Sequence, residues 1–195
     1  MSRWEPDSRS RLQAAAFDLF VRYGYEKVTI AEIAEAARLT KRSFFNHFPD
    51  KREILFAGSK DFESSVVDNL RQMDLGGAPL RSVLDALALA SEQLAKFRDF
   101  ALQRRNLILS SPELREREHM KNESLIGALG SELGGRDIPA TSAMLTAQVG
   151  VMIFNLAYER YTEDNGLDLK AEMDRCLLEV RAVVDYVTLT PGSTE

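Results

Sequence analysis

The stretch LTKRSFFNHF at residues 39 to 48 sets three phenylalanines among two cations, an asparagine and a histidine. Burying a phenylalanine is worth about 1.5 to 3 kcal/mol, whereas Lys41, Arg42 and Asn46 are costly to bury without partners. A helix meets both demands. At about 100° per residue, Phe44 and Phe48 lie within about 40° of each other, and Lys41, Arg42, Phe45 and Asn46 fall on a separate arc. The spacing predicts that Phe44 and Phe48, with Leu39, pack inward and that the other four residues face out.

The residues on either side delimit short helices. Leu12, Ala16, Leu19, Phe20 and Tyr23 follow one helix face over about 8 to 23, with Gly24 placed as a left-handed cap. Thr29 followed by Glu32 is a capping box that opens a helix at 30 to 37 with Ile30, Ile33, Ala34 and Ala37 inward. Arg38 and Leu39 form a turn, Thr40 caps the next helix, and Pro49 stops it. Asp50 with Glu53 repeats the capping logic for a fourth helix from Lys51. Two short helices joined by a three-residue turn make a helix-turn-helix, whose second helix enters the DNA major groove. Lysine and arginine can donate to guanine, asparagine can pair with adenine, and an exposed ring can touch a thymine methyl. Two cations can also be an ordinary solvated face; the exposed Phe45 beside them favours a binding surface.

Charge supports that placement. The 195-residue chain has a net charge of −5, which alone argues against a nucleic-acid partner, but residues 1 to 60 hold 11 Lys and Arg against 8 Asp and Glu, a net +3. The remaining 14 Lys and Arg against 22 Asp and Glu give −8, so any polyanion contact is expected in the first third. The single cysteine, Cys176, reads as a small buried apolar residue. With no signal-peptide pattern and no run of about 18 apolar residues, the expectation is a cytoplasmic protein.

The segment from Arg11 to Leu55, containing AAFDLFVRYGYEKVTIAEIAEAARLTKRSFFNHFPDKREIL, closely resembles the DNA-binding domain of TetR/AcrR-type transcriptional regulators. The AxxLF-like end of helix one, G[YF]xxxT[IV]xxIAxxA, the three-residue turn, TKxx[FL][FY]xxF and KxxL follow in order. The resemblance implies phosphate contacts from Thr29, His47 and Lys51, and base or groove contacts from Thr40, Lys41, Arg42, Phe45 and Asn46. Two positions depart from the family pattern: Arg38 stands where glycine is frequent, and Phe45 where a tyrosine could bind a phosphate.

Beyond residue 50 the helical pattern continues at about 51 to 73, 79 to 97, 99 to 110, 112 to 134, 139 to 163 and 169 to 188. The expected fold is therefore all-α, about nine helices, with a three-helix DNA-binding domain at 1 to 50 and a helical effector-binding and dimerisation domain at 51 to 190. In the family layout, the last two long helices form a homodimer interface. Met173, Cys176, Leu177, Val180, Val184 and Val187 make one apolar stripe there, and Ala143, Ala147, Gly150, Val151, Phe154 and Tyr158 another, although both could face only their own core. Phe62, Phe97, Phe100, Leu107, Met120, Met144, Met152 and Tyr158 are candidates for an effector pocket, with His119, Gln148 and Asn155 as polar anchors. Core packing explains any one of these equally well.

No phosphate-binding loop, nucleophile elbow, CxxC or HExxH motif occurs, and the two histidines lack metal-ligating neighbours in sequence. No metal, cofactor or catalytic residue is expected. The sequence reads as a ligand-responsive repressor that binds a pseudo-palindromic operator as a homodimer. An all-helical enzyme with an acidic C-terminal cleft is the alternative, and a helical interaction module a third reading that leaves Lys41, Arg42 and Lys51 without a common task.

Overall fold

Side-chain caps decide where the first three helices begin. The structure, a computed structural model, describes residues 7–92 and 98–189. Helix α1 (Ser8–Tyr23) starts where the Asp7 carboxylate accepts from the Ser10 N–H at 2.7 Å, and it ends at Gly24, whose φ of 85° few other residues adopt. Helix α2 (Ile30–Ala36) opens on the expected capping box: Glu32 N–H donates to the Thr29 hydroxyl at 3.3 Å, and Thr29 N–H donates to the Glu32 carboxylate at 2.8 Å. Helix α3 (Lys41–His47) begins with the Ser43 N–H donating to Thr40 Oγ1 at 3.1 Å. It ends at Phe48, which is extended ahead of Pro49.

The turn between α2 and α3 is closed by two reverse hydrogen bonds, Leu39 N–H to the Ala34 carbonyl at 2.8 Å and Arg38 N–H to the Glu35 carbonyl at 2.9 Å. This is a Schellman motif, which normally places glycine at its left-handed position. Here that position is Arg38, at φ 54°, a conformation that disfavours a side chain by about 1 to 2 kcal/mol. Arg11 reaches across from α1 and donates through Nη2 to the Ala37 carbonyl at 2.6 Å, which steadies the turn.

The fourth helix differs from the sequence expectation. Asp50 does accept from the Glu53 N–H at 3.0 Å, but only a 3-10 turn follows, at Arg52–Ile54. Gly58, at φ 96°, interrupts the helical path, and α4 runs from Ser59 to Gln72. Then come α5 (Pro79–Ser91), α6 (Arg98–Ser110), α7 (Pro112–Gly134), α8 (Ala140–Glu163) and α9 (Leu169–Leu189). The expected extension of α5 to residue 97 lies outside the described residues. Among the described residues every regular element is helical.

The chain forms two compact units, Met1–Asp61 with Asp99–Asn122, and Phe62–Arg98 with Glu123–Glu195. The first takes in more than the stretch 1 to 50, because its core needs more apolar surface than three short helices supply. Leu12, Ala16 and Phe20 of α1, Ile33 of α2, and Phe44 and Phe48 share that core with Leu107 and Ile108 of α6 and Leu114 of α7. Tyr23, expected on the same stripe, is exposed. Polar bonds sew the later segments in. Tyr25 Oη donates to Glu113 at 3.2 Å, Ser111 Oγ donates to Glu26 at 2.8 Å, and Arg104 Nε donates to the Leu55 carbonyl at 3.1 Å. Glu53 receives both Arg117 and Lys121.

In the second unit α8 is the central helix. It is long and apolar enough by composition to cross a membrane, but one side of it is buried among α5 and α9. Ala143, Ala147, Gly150, Val151 and Phe154, read from sequence as a dimerisation stripe, are buried in this unit's own core. The small side chains serve α5: a Cβ added at Gly150 would stand 2.5 Å from Val83 Cγ1. The α9 stripe divides. Met173, Cys176 and Leu177 are buried and Val180 is half-buried against the same core, while Val184 is exposed. The side chain of Val187 lies outside the described residues.

Candidate nucleic-acid interface

The inner arc of α3 anchors the helix. Phe44 is fully buried and Phe48 nearly so, with ring centroids 5.6 Å apart. Phe45 is 55% exposed and meets Phe44 edge-on at 5.5 Å. Lys41, Arg42, Asn46 and His47 are all exposed beside it. No hydrogen bond or ion pair to another described residue occupies the Lys41 and Arg42 side chains, so both cations are available to a ligand outside the chain.

Three anticipated contact residues are already engaged. The Thr40 hydroxyl caps α3 and lies 2.9 Å from Ser43 Oγ. The Thr29 hydroxyl donates to Glu32 at 2.8 Å, and its backbone and side chain hold the Glu32 carboxyl below its ordinary value. The Lys51 ammonium donates to the carbonyls of Tyr25 at 2.8 Å and Val28 at 3.0 Å, and sits 4.0 Å from the Tyr25 ring centroid. Two of its three N–H groups therefore hold the loop between α1 and α2.

One participant left no trace in the sequence pattern and another left only a partial one. Arg11 fixes the turn from α1, and it lay in a helical pattern where its long reach left no trace. Arg38 was visible only as a departure from glycine; its exposure and left-handed backbone come from the structure.

The anticipated pocket residues are not gathered in one place. Phe100 packs on Phe17 at 4.2 Å, and Leu107 belongs to the core of the first unit. His119 and Met120 are exposed on α7, and Met144, Gln148, Met152 and Asn155 are exposed on α8. Phe62 and Tyr158 do converge, stacking on either side of Phe154 at 5.8 and 5.7 Å. Phe97 lies outside the described residues. A cleft of about 650 Å³ opens elsewhere in the second unit, between Pro79, Leu80 and Arg81 of α5, Thr146 of α8, and Asp174, Leu178 and Arg181 of α9. None of the anticipated residues lines it.

The described residues thus form a helical fold whose first unit is a helix-turn-helix with an exposed cationic and aromatic face. Residues 12–57 match the family model described as bacterial regulatory proteins, tetR family. The match is confined to the first unit, and it is this segment that is similar to the family. The chain is 30% identical over 96 residues to the transcriptional regulator TcmR of Streptomyces glaucescens, covering 49% of this chain and 41% of that protein. It is 34% identical over 93 residues to the A-factor receptor protein of Streptomyces griseus, covering 45% and 32%. The chain thus spans less than half the length of these relatives. Among solved structures, the fold is similar to FadR of Thermus thermophilus, a TetR-family transcriptional repressor in complex with lauroyl-CoA. That likeness has a TM-score of 0.57 at 19% identity, over 96% of this chain and 98% of that one.

Proposed function

We propose that the protein is a cytoplasmic, ligand-responsive transcriptional repressor that binds a pseudo-palindromic operator as a homodimer. The observation that carries the reading is the division of α3: Phe44 and Phe48 lock one side into the core, and Lys41, Arg42, Phe45 and Asn46 stand exposed, both cations without a hydrogen bond or ion pair to another described residue. Arg42 and Lys41 supply donors for guanine, Asn46 pairs with adenine, and Phe45 makes an apolar contact where a tyrosine would have reached a phosphate. His47 donates to the phosphate backbone. Thr29, Thr40 and Lys51 place the loop and the recognition helix, and Lys51 has one N–H left for a phosphate.

A homodimer is supported by the outer faces of the last two long helices rather than by the inner stripe. Leu145 and Met152 on α8, and Leu178, Val183, Val184 and Tyr186 on α9, are all exposed, an apolar surface that a second copy covers in a two-fold arrangement. Recognition helices about 34 to 36 Å apart then meet successive major grooves. An effector held in the second unit lowers DNA affinity in proportion to its preference for a different spacing; the apolar cluster at Phe62, Phe154 and Tyr158 is one wall available to it. Several carboxylates of the acidic second unit are paired with arginines, as in Arg160 to Glu172 at 3.1 Å and Arg136 to Glu132 at 3.1 Å. That supports the regulator over an enzyme with an acidic cleft.

The test is selection of bound genomic fragments by the purified protein, followed by binding to the enriched site across a salt series. A short inverted repeat with affinity falling steeply in salt is expected. Enrichment of no sequence over random DNA overturns the reading.

A further inference from the structure

Arg38 and Asp137 are the described non-glycine residues with a positive φ, and of the two it is Arg38 that lies in the helix-turn-helix. It occupies the left-handed position of the Schellman turn, at φ 54°, where glycine fits without penalty and a long side chain does not. The turn is otherwise complete: both reverse hydrogen bonds form through backbone atoms, and Arg11 clamps it through the carbonyls of Ala37 and Arg38. None of this needs the Arg38 side chain, which is exposed and makes no hydrogen bond, ion pair or ring contact with another described residue. A side chain that strains the backbone it stands on and stabilises nothing among the described residues points to a use outside the fold.

The position suggests the use. Arg38 lies two residues before the Thr40 cap and three before Lys41, so its Cα is within about 11 Å of that of Lys41. In a helix-turn-helix, the turn sits where the chain passes from the backbone-crossing helix to the N-terminal end of the recognition helix. A guanidinium projecting from that turn meets the sugar-phosphate backbone flanking the bases that Lys41 and Arg42 address, and its fork matches a phosphate in two hydrogen bonds. We propose that Arg38 is a DNA-contacting residue that binds a backbone phosphate next to the recognition helix, and that the turn keeps arginine at a glycine position for this contact. The proposal rests on the regulator reading above.

The experiment compares Arg38→Gly, Arg38→Asn and Arg38→Lys with the unaltered protein, measuring thermal unfolding and operator affinity between 50 and 300 mM salt. Glycine, and asparagine to a lesser degree, accept the left-handed backbone, so both are expected to fold with an unchanged or higher unfolding temperature. Both are expected to bind about three- to tenfold more weakly and to lower the slope of log affinity against log salt by about 0.9, the loss of one phosphate. Lysine is expected to restore most of the slope. Wild-type affinity and slope in the glycine and asparagine variants would overturn the contact while leaving the regulator reading intact. Absence of salt-dependent operator binding by the unaltered protein would remove both. Loss of affinity with no change of slope, equal in the lysine variant, would make Arg38 a steric element of the turn and overturn the proposal.

Discussion

Helices α3 and α8 solve opposite problems with the same periodicity. In α3 the inner arc is aromatic and the outer arc cationic, with Phe45 as its exposed phenylalanine. In α8 the inner arc is apolar and the outer arc mixed: Ala143, Ala147, Gly150 and Phe154 are buried, while Leu145 and Met152 on the opposite side are exposed beside Gln148 and Asn155. A short helix with a polar outer face is suited to a polar ligand such as nucleic acid, and a long helix with apolar residues on a mixed outer face to another protein surface. The difference teaches that the character of the outer face, not of the inner one, separates the two kinds of recognition.

The largest expected effect tests the inner face of α3. Phe44→Ala removes a fully buried ring and should destabilise the first unit by about 3 to 5 kcal/mol, whereas Phe45→Ala should alter stability by less than about 0.5 kcal/mol and weaken operator binding. Chemical denaturation with a parallel binding assay separates them, and equal losses of stability would erase the distinction between the arcs. On α8 the corresponding pair is Gly150→Ala and Leu145→Asp. The first forces a methyl against Val83 and should destabilise by about 1 to 3 kcal/mol. The second should leave the monomer folded and shift sedimentation from dimer to monomer; a stable dimer in the aspartate variant would remove the outer face of α8 from the interface.

Binding at the outer arc of α3 comes next. Arg42→Ala should weaken the specific site by about 1 to 3 kcal/mol and relax base preference at one position. Lys51→Ala should act mainly on stability, because it orphans the carbonyls of Tyr25 and Val28; a smaller change of salt slope than in Lys41→Ala is the expected sign. A larger one would mean that the ammonium leaves the loop for DNA.

The smallest effect is on acid stability. Burial pushes the Glu53 carboxyl up, but hydrogen bonds from Arg117 and Lys121 outweigh it and leave it below the ordinary 4.5. Its contribution is therefore full above about pH 4.5 and is lost as pH falls through the lowered folded value. Glu53→Gln should flatten the acid limb of a stability-against-pH curve, and an unchanged limb would show that the ion pairs do not couple to folding.

The legibility of the sequence follows from the same contrast. The caps at Thr29 and Thr40, the limits of α1 to α3 and the split of LTKRSFFNHF were readable because polar and apolar residues alternate with helical period there. The inner and outer faces of α8 were not, since Ala147 and Met152 are both apolar and periodicity cannot rank two faces that both carry apolar residues. The break at Gly58 was hidden for a related reason: Asp50 and Glu53 form a true cap, and local chemistry does not reveal how far the helix behind it extends. Lys51 shows the limit for sites. Its type suits a phosphate, but two carbonyls brought from residues 25 and 28 engage it first, a contact that spans more than 20 positions in the chain.

One feature of the first unit bears on how the chain is made. Helices α2 and α3 have seven residues each, too short to persist alone in water, and the core that holds them includes Leu107, Ile108 and Leu114. A ribosome that has just released residue 57 has therefore delivered the recognition helix without the material to fix it. At about 5 to 20 residues per second, the missing side chains emerge about 3 to 11 s later, and the outer face of α3 is fixed in place only after α4 to α6 and the first residues of α7 have been synthesised.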